Sequence, residues 1–187
     1  NNAKKMKELN ALLAPLGFEV IPQGQLGIPE AEEPHCTFVE NALAKARHAA
    51  AHSGLPALAD DSGLCVEALH GAPGVLSARY AGDPKSDARN NEKLLTHLKE
   101  HANRKAHFYC VLVLVRAAHD PQPIIAEGEW PGEILPEQQG EGGFGYDPLF
   151  FVPEFGQTAA EMDSETKNRV SHRGRAMQKL IERLPSL

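Results

Sequence analysis

Two adjacent carboxylates precede a Ser-Gly pair in the segment Asp60-Asp61-Ser62-Gly63, at the end of a short apolar run. Acidic side chains at the end of a predicted strand are poorly suited to a core, whereas their oxygens suit a hard divalent cation. Mg²⁺ keeps part of its water shell and commonly binds one or two carboxylates together with a substrate phosphate. The pair therefore predicts a magnesium site. The simpler alternative is an aspartate that caps an ordinary Ser-Gly turn.

Charged side chains in two other segments could complete such a site. Glu32 and Glu33 precede a predicted helix, and loops at strand ends are where α/β proteins bind ligands. At the start of the chain, Asn2 and Lys5, with Lys4 between them, occupy the first turn of another predicted helix. Free N–H groups and the helix dipole favour a phosphate there, although a solvated basic turn is the common alternative.

A second basic cluster lies towards the other end of the chain. Ser171 can cap the last predicted helix, which puts His172 and Arg173 in its first turn, and Lys167 precedes them. Their N–H donors suit a phosphate or a keto oxygen. The alternative is a basic turn that faces solvent. Arg79, in a loop after the second apolar β-run, is a lesser candidate.

Glycines surround an aromatic ring in the segment from Gly142 to Pro148. They let a ligand approach the backbone closely, and a ring held between glycines offers a stacking surface for a nucleobase. Base–aromatic stacking contributes about 1–3 kcal/mol. The alternative is a hairpin-like connection whose Phe144 and Tyr146 fold back onto the core. The pattern alone does not separate the two.

Alternating helices and strands must position these residues. Thr37 and Glu40 have the spacing of a capping box before an Ala-rich helix that extends to about His52. Ser86 can cap a further helix, which carries Leu94, Leu95 and Leu98. Apolar β-runs predict strands at 18–21, 57–60, 64–68, 108–115, 124–130 and 149–152. This order predicts an α/β fold with a long mixed sheet flanked by helices. Because an α/β domain normally begins with a strand, we expect one upstream of residue 1.

The composition bounds the class of protein. The 187 residues, 42% hydrophobic and 24% charged, suit one soluble globular domain. A net charge of −6 argues against a general nucleic-acid binder. No apolar run approaches the roughly 20 residues that cross a bilayer, so we expect no membrane partner. Three widely spaced cysteines argue against a disulfide framework. Without a signal peptide in the sequence, we expect a cytoplasmic location.

Six segments occur together and in order along the chain. They are Asn2-Ala3-Lys4-Lys5, Thr37 to Ala42 with Lys45, Ala59 to Leu64, Gly71 to Gly74 with Ser77 to Tyr80, Gly142 to Pro148, and Ser171 to Gly174. The set closely resembles the inosine/xanthosine triphosphate pyrophosphatase family, which acts on deaminated purine nucleotides. The likeness spans essentially the whole chain.

The resemblance implies a fold and a reaction. It implies one pyrophosphatase domain over residues 1–187, with a long mixed sheet in two lobes, a cleft between them and a homodimer. It implies Mg²⁺-dependent hydrolysis of ITP, dITP or XTP to the monophosphate and pyrophosphate, which removes deaminated purines from the nucleotide pool. Two alternatives stay open: a related pyrophosphatase that acts on modified pyrimidine nucleotides, and a non-catalytic nucleotide-binding module.

Residue roles also follow from the resemblance. Asp61 and Glu33 are expected to bind the metal, and Asp61 is expected to be the general base, with Lys5 and Lys45 as catalytic lysines. Asp60 and Ser62 are expected to shape the acidic turn, with Ser62 near the substrate. Phe144 is expected to stack on the base. The residues expected to read the base edge are Asp147, Lys167, His172 and Arg173. The residues expected to contact substrate are Asn2, Ala3, Lys4, Lys5, Lys45, Ser62, Arg79, Phe144, Gly145, Tyr146, Asp147, Lys167, His172 and Arg173.

Overall fold

The computed structural model describes Met6, Leu9, Asn10 and residues 13–184. The segment Asn2-Ala3-Lys4-Lys5, which carries the predicted phosphate-binding turn, lies outside the described residues. The four described positions between 6 and 13 are helical, as the apolar spacing at the start of the chain predicts.

Besides these helical positions and several 3-10 helices, the described residues form one sheet and four α-helices. The strands are β1 (Ala57–Val66), β2 (Lys105–Val115), β3 (Ile124–Ile134), β4 (Phe150–Val152) and β5 (Gln157–Thr158). They follow one another in that order, and all four pairings are antiparallel. The helices are α1 (Phe38–Ser53), α2 (Asp87–Leu98), α3 (Ser164–Val170) and α4 (His172–Arg183). The predicted α/β class, a sheet flanked by helices, is confirmed.

Three helices begin at the capping residues that the sequence predicts. The hydroxyls of Thr37, Ser86 and Ser171 each accept a hydrogen bond from a backbone N–H three residues further on, at 3.3, 3.3 and 3.2 Å. The Thr37 hydroxyl also donates to the Glu40 carboxylate at 2.5 Å. Each cap satisfies an N–H group that the first turn of a helix leaves without an intrahelical partner. Local chemistry therefore fixes where α1, α2 and α4 start.

The acidic segment is not a turn, so the prediction of two strands flanking it is wrong. β1 is continuous and pairs with β2 through this segment, with Asp60 opposite Leu112 and Asp61 opposite Val111. Gly63 serves a close approach instead, because a Cβ there would lie 2.4 Å from the carbonyl oxygen of Gly74. Gly74 begins a 3-10 helix that packs on β1 and ends at Arg79.

The strand predicted at 18–21 is also absent from the described sheet. The Phe18 N–H donates to the Leu13 carbonyl at 3.2 Å, and the Val20 N–H donates to Asn10 Oδ1 at 3.3 Å. These donors are used within the adjoining segment rather than in a strand ladder. A short apolar pattern without a partner strand is therefore not sufficient for a strand.

The core divides into three clusters that share the long strands β1–β3. In the first, α1 packs on β1 and the end of β2; in the second, α4 packs on β2 and the start of β3. The third cluster surrounds Trp130, with the other ends of the same strands, α2 and β4. β1 contributes Ala57 to the first cluster and Leu64 to the third, so Asp60 and Asp61 lie between these two clusters along the strand.

Helix α4 approaches β3 closely at a glycine. A Cβ on Gly128 would lie 2.0 Å from the carbonyl oxygen of His172 and 2.6 Å from the backbone nitrogen of Ala176. Both contacts are to backbone atoms, which cannot rotate away as a side chain can. The absence of a side chain at position 128 is therefore what lets the first turns of α4 lie against the sheet.

We expect Gly128→Ala to lower the free energy of unfolding by about 1–3 kcal/mol, because the added methyl group overpacks the contact between α4 and β3. Urea denaturation measures this. Glu133→Ala, at an exposed position of the same strand, is the control and should change the stability by less than about 0.5 kcal/mol. Equal stability of wild type and Gly128→Ala would contradict the close approach.

Candidate functional site

Lys45 joins the two predicted metal ligands. It lies two turns into α1, and its Nζ is 2.5 Å from Glu33 Oε1 and 3.5 Å from Asp61 Oδ1. The structure thus brings together three residues from a loop, a helix and a strand. Their side chains are partly buried, with only 12% of the Asp61 side chain exposed. An ion pair in such a site is screened less by solvent than one on the open surface.

The charges around Lys45 change two pKa values. Burial raises the pKa of Asp61 above its ordinary value, the positive charge of Lys45 lowers it, and the negative charge of Glu33 raises it again. Burial lowers the pKa of Lys45, but the hydrogen bond to Glu33 and the charges of Asp61, Glu33 and Asp60 raise it above the ordinary value. Lys45 is therefore fully protonated near neutral pH, while ionised Asp61 is held in an unfavourable environment.

One oxygen of Asp61 has no hydrogen-bond partner among the described residues. This oxygen, Oδ2, is buried, and burying a charged oxygen without a partner is costly. Among the described residues, Glu33 and Asp61 share the ammonium group of Lys45, so the described carboxylates there outnumber the described ammonium groups. Within the described ranges no group of three or more His, Cys, Asp or Glu residues could hold a metal. The donor set fits a cation such as Mg²⁺, which needs few carboxylates.

Asp60 and Ser62 contact a different helix from Asp61. The Arg173 Nη2 group donates to Asp60 Oδ2 at 3.3 Å and to Ser62 Oγ at 3.4 Å. Successive side chains of a strand point to opposite faces, so Asp61 faces α1 while Asp60 and Ser62 face α4. The expectation that Asp60 shapes a turn is therefore wrong, because in the continuous strand it binds the guanidinium that begins α4.

The His172 ring packs flat against the aromatic part of the core. Its centroid is 5.0 Å from that of Phe108 at an interplanar angle of 16°, and 6.4 Å from that of Trp130 at 15°. This stacking fixes the plane of the imidazole at the start of α4. The structure therefore holds His172 and Arg173 in neighbouring positions by separate contacts, one aromatic and one ionic.

Phe144 is exposed, and its loop is held by hydrogen bonds. The ring is 62% exposed, so the alternative in which it folds back onto the core is wrong for this residue. The buried Asp147 carboxylate accepts a hydrogen bond from the Phe144 N–H at 2.9 Å and forms an ion pair with Lys167. The Lys167 ammonium in turn lies 4.9 Å from the centroid of the Phe144 ring. The structure thus joins three predicted base-contacting residues.

Tyr146 follows the other alternative, because its side chain belongs to the core. It is only 4% exposed, and its hydroxyl donates to the Ser77 carbonyl at 2.7 Å. Any contact between Tyr146 and a substrate therefore has to come from its backbone. Arg79, at the end of the 3-10 helix, forms no side-chain hydrogen bond or ion pair with another candidate residue in the part of the chain described here.

Asn41 supports the site and was not singled out by the sequence. It is buried in the first turn of α1, where its amide donates to the His35 carbonyl at 3.1 Å and accepts from the His35 N–H at 3.0 Å. This pair of bonds fixes the loop that carries Glu33 against the helix that carries Lys45. The sequence feature that could have identified Asn41 is a polar amide on the buried face of a helix whose other buried residues are alanines.

Comparison with known proteins identifies the family. The model of the Ham1 family matches residues 1–183. The chain belongs to the Ham1 family. This confirms the family resemblance that the six ordered motifs predict.

Two relatives and one solved structure illustrate the likeness of this Ham1 chain to known proteins. The dITP/XTP pyrophosphatase of Aromatoleum aromaticum is 67% identical over 184 residues, covering 98% of this chain and 93% of that protein. The dITP/XTP pyrophosphatase of Ralstonia nicotianae is 65% identical over 187 residues, with coverage of 98% and 93%. The structure of a HAM1 protein from Coxiella burnetii has a TM-score of 0.97 at 48% identity, covering 100% of this chain and 96% of that one.

Across the described positions, no helix combines the length and the hydropathy needed to cross a bilayer.

We expect Asp61→Asn to raise the melting temperature of the Ham1 chain at pH 7 when no divalent metal is present. The raised pKa of Asp61 means that its ionisation opposes folding, and an amide of the same shape does not ionise. The gain should shrink as the pH falls towards the ordinary carboxyl pKa of 3.8, where wild-type Asp61 is also neutral. Thermal unfolding in EDTA at several pH values measures both effects. A variant less stable than wild type at pH 7 would contradict this account of Asp61.

Proposed function

We propose that this chain is a nucleoside triphosphate pyrophosphatase that converts ITP, dITP or XTP to the monophosphate and pyrophosphate. The observation that supports it most directly is Asp61, a largely buried carboxylate of raised pKa with one unpartnered oxygen among the described residues, beside Lys45 and Glu33. Such a group suits a metal and a reacting water better than a structural role. The names of the relatives supply the reaction class.

In the proposed reaction, a water oxygen forms a bond to the α-phosphorus and the bond from that phosphorus to the bridging oxygen breaks. The water proton passes to the Asp61 carboxylate, whose raised pKa makes it a stronger base than an ordinary aspartate. We assign Lys45 the role of balancing the negative charge of the triphosphate. Its ion pairs with Glu33 and Asp61 support this role, because they hold the ammonium group beside the proposed base. Lys5, Asn2, Ala3 and Lys4 are proposed phosphate contacts from the family motif.

We assign Asp61 and Glu33 as the residues that would hold Mg²⁺. The bound ion would supply charge neutralisation on the leaving pyrophosphate. Two features of the described residues support this assignment: Asp61 Oδ2 has no hydrogen-bond partner among them, and two carboxylates pair with the one ammonium group of Lys45.

The proposed recognition of the nucleobase rests on Phe144 and three hydrogen-bond donors. The exposed ring is free to stack on a purine. Lys167, His172 and Arg173 can donate to the keto oxygen that hypoxanthine and xanthine carry at position six. Adenine has an amino group there and would leave those donors facing donors, a mismatch that can discriminate by about 10⁴-fold. Asp147 fixes Lys167 for this role.

The remaining features of the proposal come from the family resemblance. They are a single domain over residues 1–187, a homodimer and a cytoplasmic location, with a small nucleotide rather than a nucleic acid or a membrane as the partner. In this setting the enzyme would remove deaminated purine nucleotides from the nucleotide pool.

The product of ITP hydrolysis tests the reaction. With Mg²⁺ we expect wild-type protein to release IMP and pyrophosphate in equal amounts, and Asp61→Asn to lose at least about a hundredfold in kcat because the base is gone. Ion-exchange chromatography separates pyrophosphate from orthophosphate. Release of orthophosphate, or nucleotide binding without turnover, would rule the proposal out. Faster turnover of modified pyrimidine nucleotides than of ITP and XTP would favour the pyrimidine alternative.

We expect Phe144→Ala to raise the KM for ITP by roughly fivefold to 150-fold, the equivalent of the 1–3 kcal/mol that stacking contributes. The melting temperature should stay within a few degrees of wild type, because the ring is exposed and adds little to the core. Phe144→Tyr, which keeps the aromatic face, serves as the matched control. Unfolding of Phe144→Ala would instead assign the ring to the core.

A further inference from the structure

Helix α2 contacts the loop that carries Phe144, although the two are far apart in sequence. The Asp87 carboxylate accepts a hydrogen bond from the Gly145 N–H at 2.8 Å. One turn further along α2, the Asn91 amide donates to the Gly145 carbonyl at 3.0 Å. Two side chains on the same face of one helix thus bind both backbone polar groups of the residue next to Phe144.

This pair of contacts matters because it extends the hydrogen bonding that fixes the ring. Asp147 accepts from the Phe144 N–H at 2.9 Å and donates its own N–H to the Phe144 carbonyl at 3.2 Å. Asp87 and Asn91 hold the backbone of the next residue, Gly145, in the same way. Phe144 is largely exposed and so is not held by core packing. Gly145 has a φ of +60°, a left-handed conformation that glycine adopts easily and also leaves easily. Without bonds to its backbone, the loop would sample several conformations, and a base would have to select one of them before stacking.

The local chemistry of α2 suits such a role. Asp87 is in the first turn of a helix capped by Ser86, where the helix dipole favours an ionised carboxylate. Asn91 is only 3% exposed and keeps its amide turned to Gly145, although its Oδ1 then has no hydrogen-bond partner among the described residues. An apolar residue at this buried position would avoid that penalty, so the bond to Gly145 is the property that an asparagine supplies.

We propose that Asp87 and Asn91 are positioning residues for nucleobase binding, which hold Gly145 so that the Phe144 ring is preorganised as a stacking surface. This inference rests on the proposed function and adds a helix to the base side of the site. Asp87 and Asn91 act through the loop and need not touch the nucleotide. Their removal should therefore weaken binding of the base and leave the phosphate chemistry at Asp61 unchanged.

Asp87→Ala and Asn91→Ala test the proposal through ITP kinetics and through calorimetric binding of IMP. We expect each to raise the KM for ITP and the dissociation constant of IMP roughly fivefold, part of the stacking contribution, with kcat within twofold of wild type. Asp87→Asn should keep the KM for ITP and the dissociation constant of IMP near their wild-type values, because its amide oxygen still accepts from the Gly145 N–H. Glu92→Ala, an exposed position on the same helix, is the matched control.

A double-mutant cycle separates positioning from general support of the fold. In a Phe144→Ala background, Asp87→Ala should change the KM by less than twofold, because the ring on which it acts is absent. An equal rise in both backgrounds, or a loss of kcat at unchanged KM, would overturn the proposal. Should Asn91→Ala fail to fold, the exposed Asp87 position still gives the answer.

The binding measurement keeps this proposal distinct from the proposed function. If wild-type protein released orthophosphate from ITP, the reaction assigned above would be wrong, whereas IMP binding would still report on the loop. If wild-type protein produced pyrophosphate and IMP binding were identical in wild type, Asp87→Ala and Asn91→Ala, the positioning role alone would be overturned.

Discussion

Uninterrupted pairing of β1 with β2 is the constraint on which the candidate site depends. The ladder runs through Asp60 and Asp61, so the backbone of both is fixed by hydrogen bonds to a strand whose side chains fill the core. Alternation along the strand then sends the two neighbouring acids to opposite faces. Asp61 forms an ion pair with Lys45 of α1, and Asp60 forms one with Arg173 of α4. A turn at this point would have left both carboxylates free to move.

The two faces differ in their electrostatics. On the α1 face, Lys45 compensates only part of the charge of Glu33 and Asp61, and burial makes the remaining charge unfavourable. On the α4 face, Arg173 pairs with Asp60 while His172 stacks on the core, and the buried Arg173 Nε has no hydrogen-bond partner among the described residues. Each face therefore holds a polar atom that the described residues leave unsatisfied, as expected where stability is given up for function.

Sequence reasoning succeeded where the signal was local. The caps at Thr37, Ser86 and Ser171 depend on residues three positions apart, and each lies at the predicted helix start. It failed at Gly63, where a Ser-Gly pair reads as a turn but the glycine is required by a 3-10 helix packed on the strand. The contact from Asn91 to Gly145 spans 54 residues. Only the fold brings such partners together, so no spacing pattern could predict it.

The burial and the raised pKa of Asp61 bear on whether the Ham1 chain is an enzyme or a simple nucleotide binder. A binder needs donors for phosphate and a surface for the base, and an amide at position 61 would meet the first need without a buried negative charge. A carboxylate there opposes folding when it is ionised, since burial and Glu33 both raise its pKa. Its presence is explained if the charge is used to bind a cation and to accept a proton from water. The destabilising feature is therefore the strongest argument for catalysis.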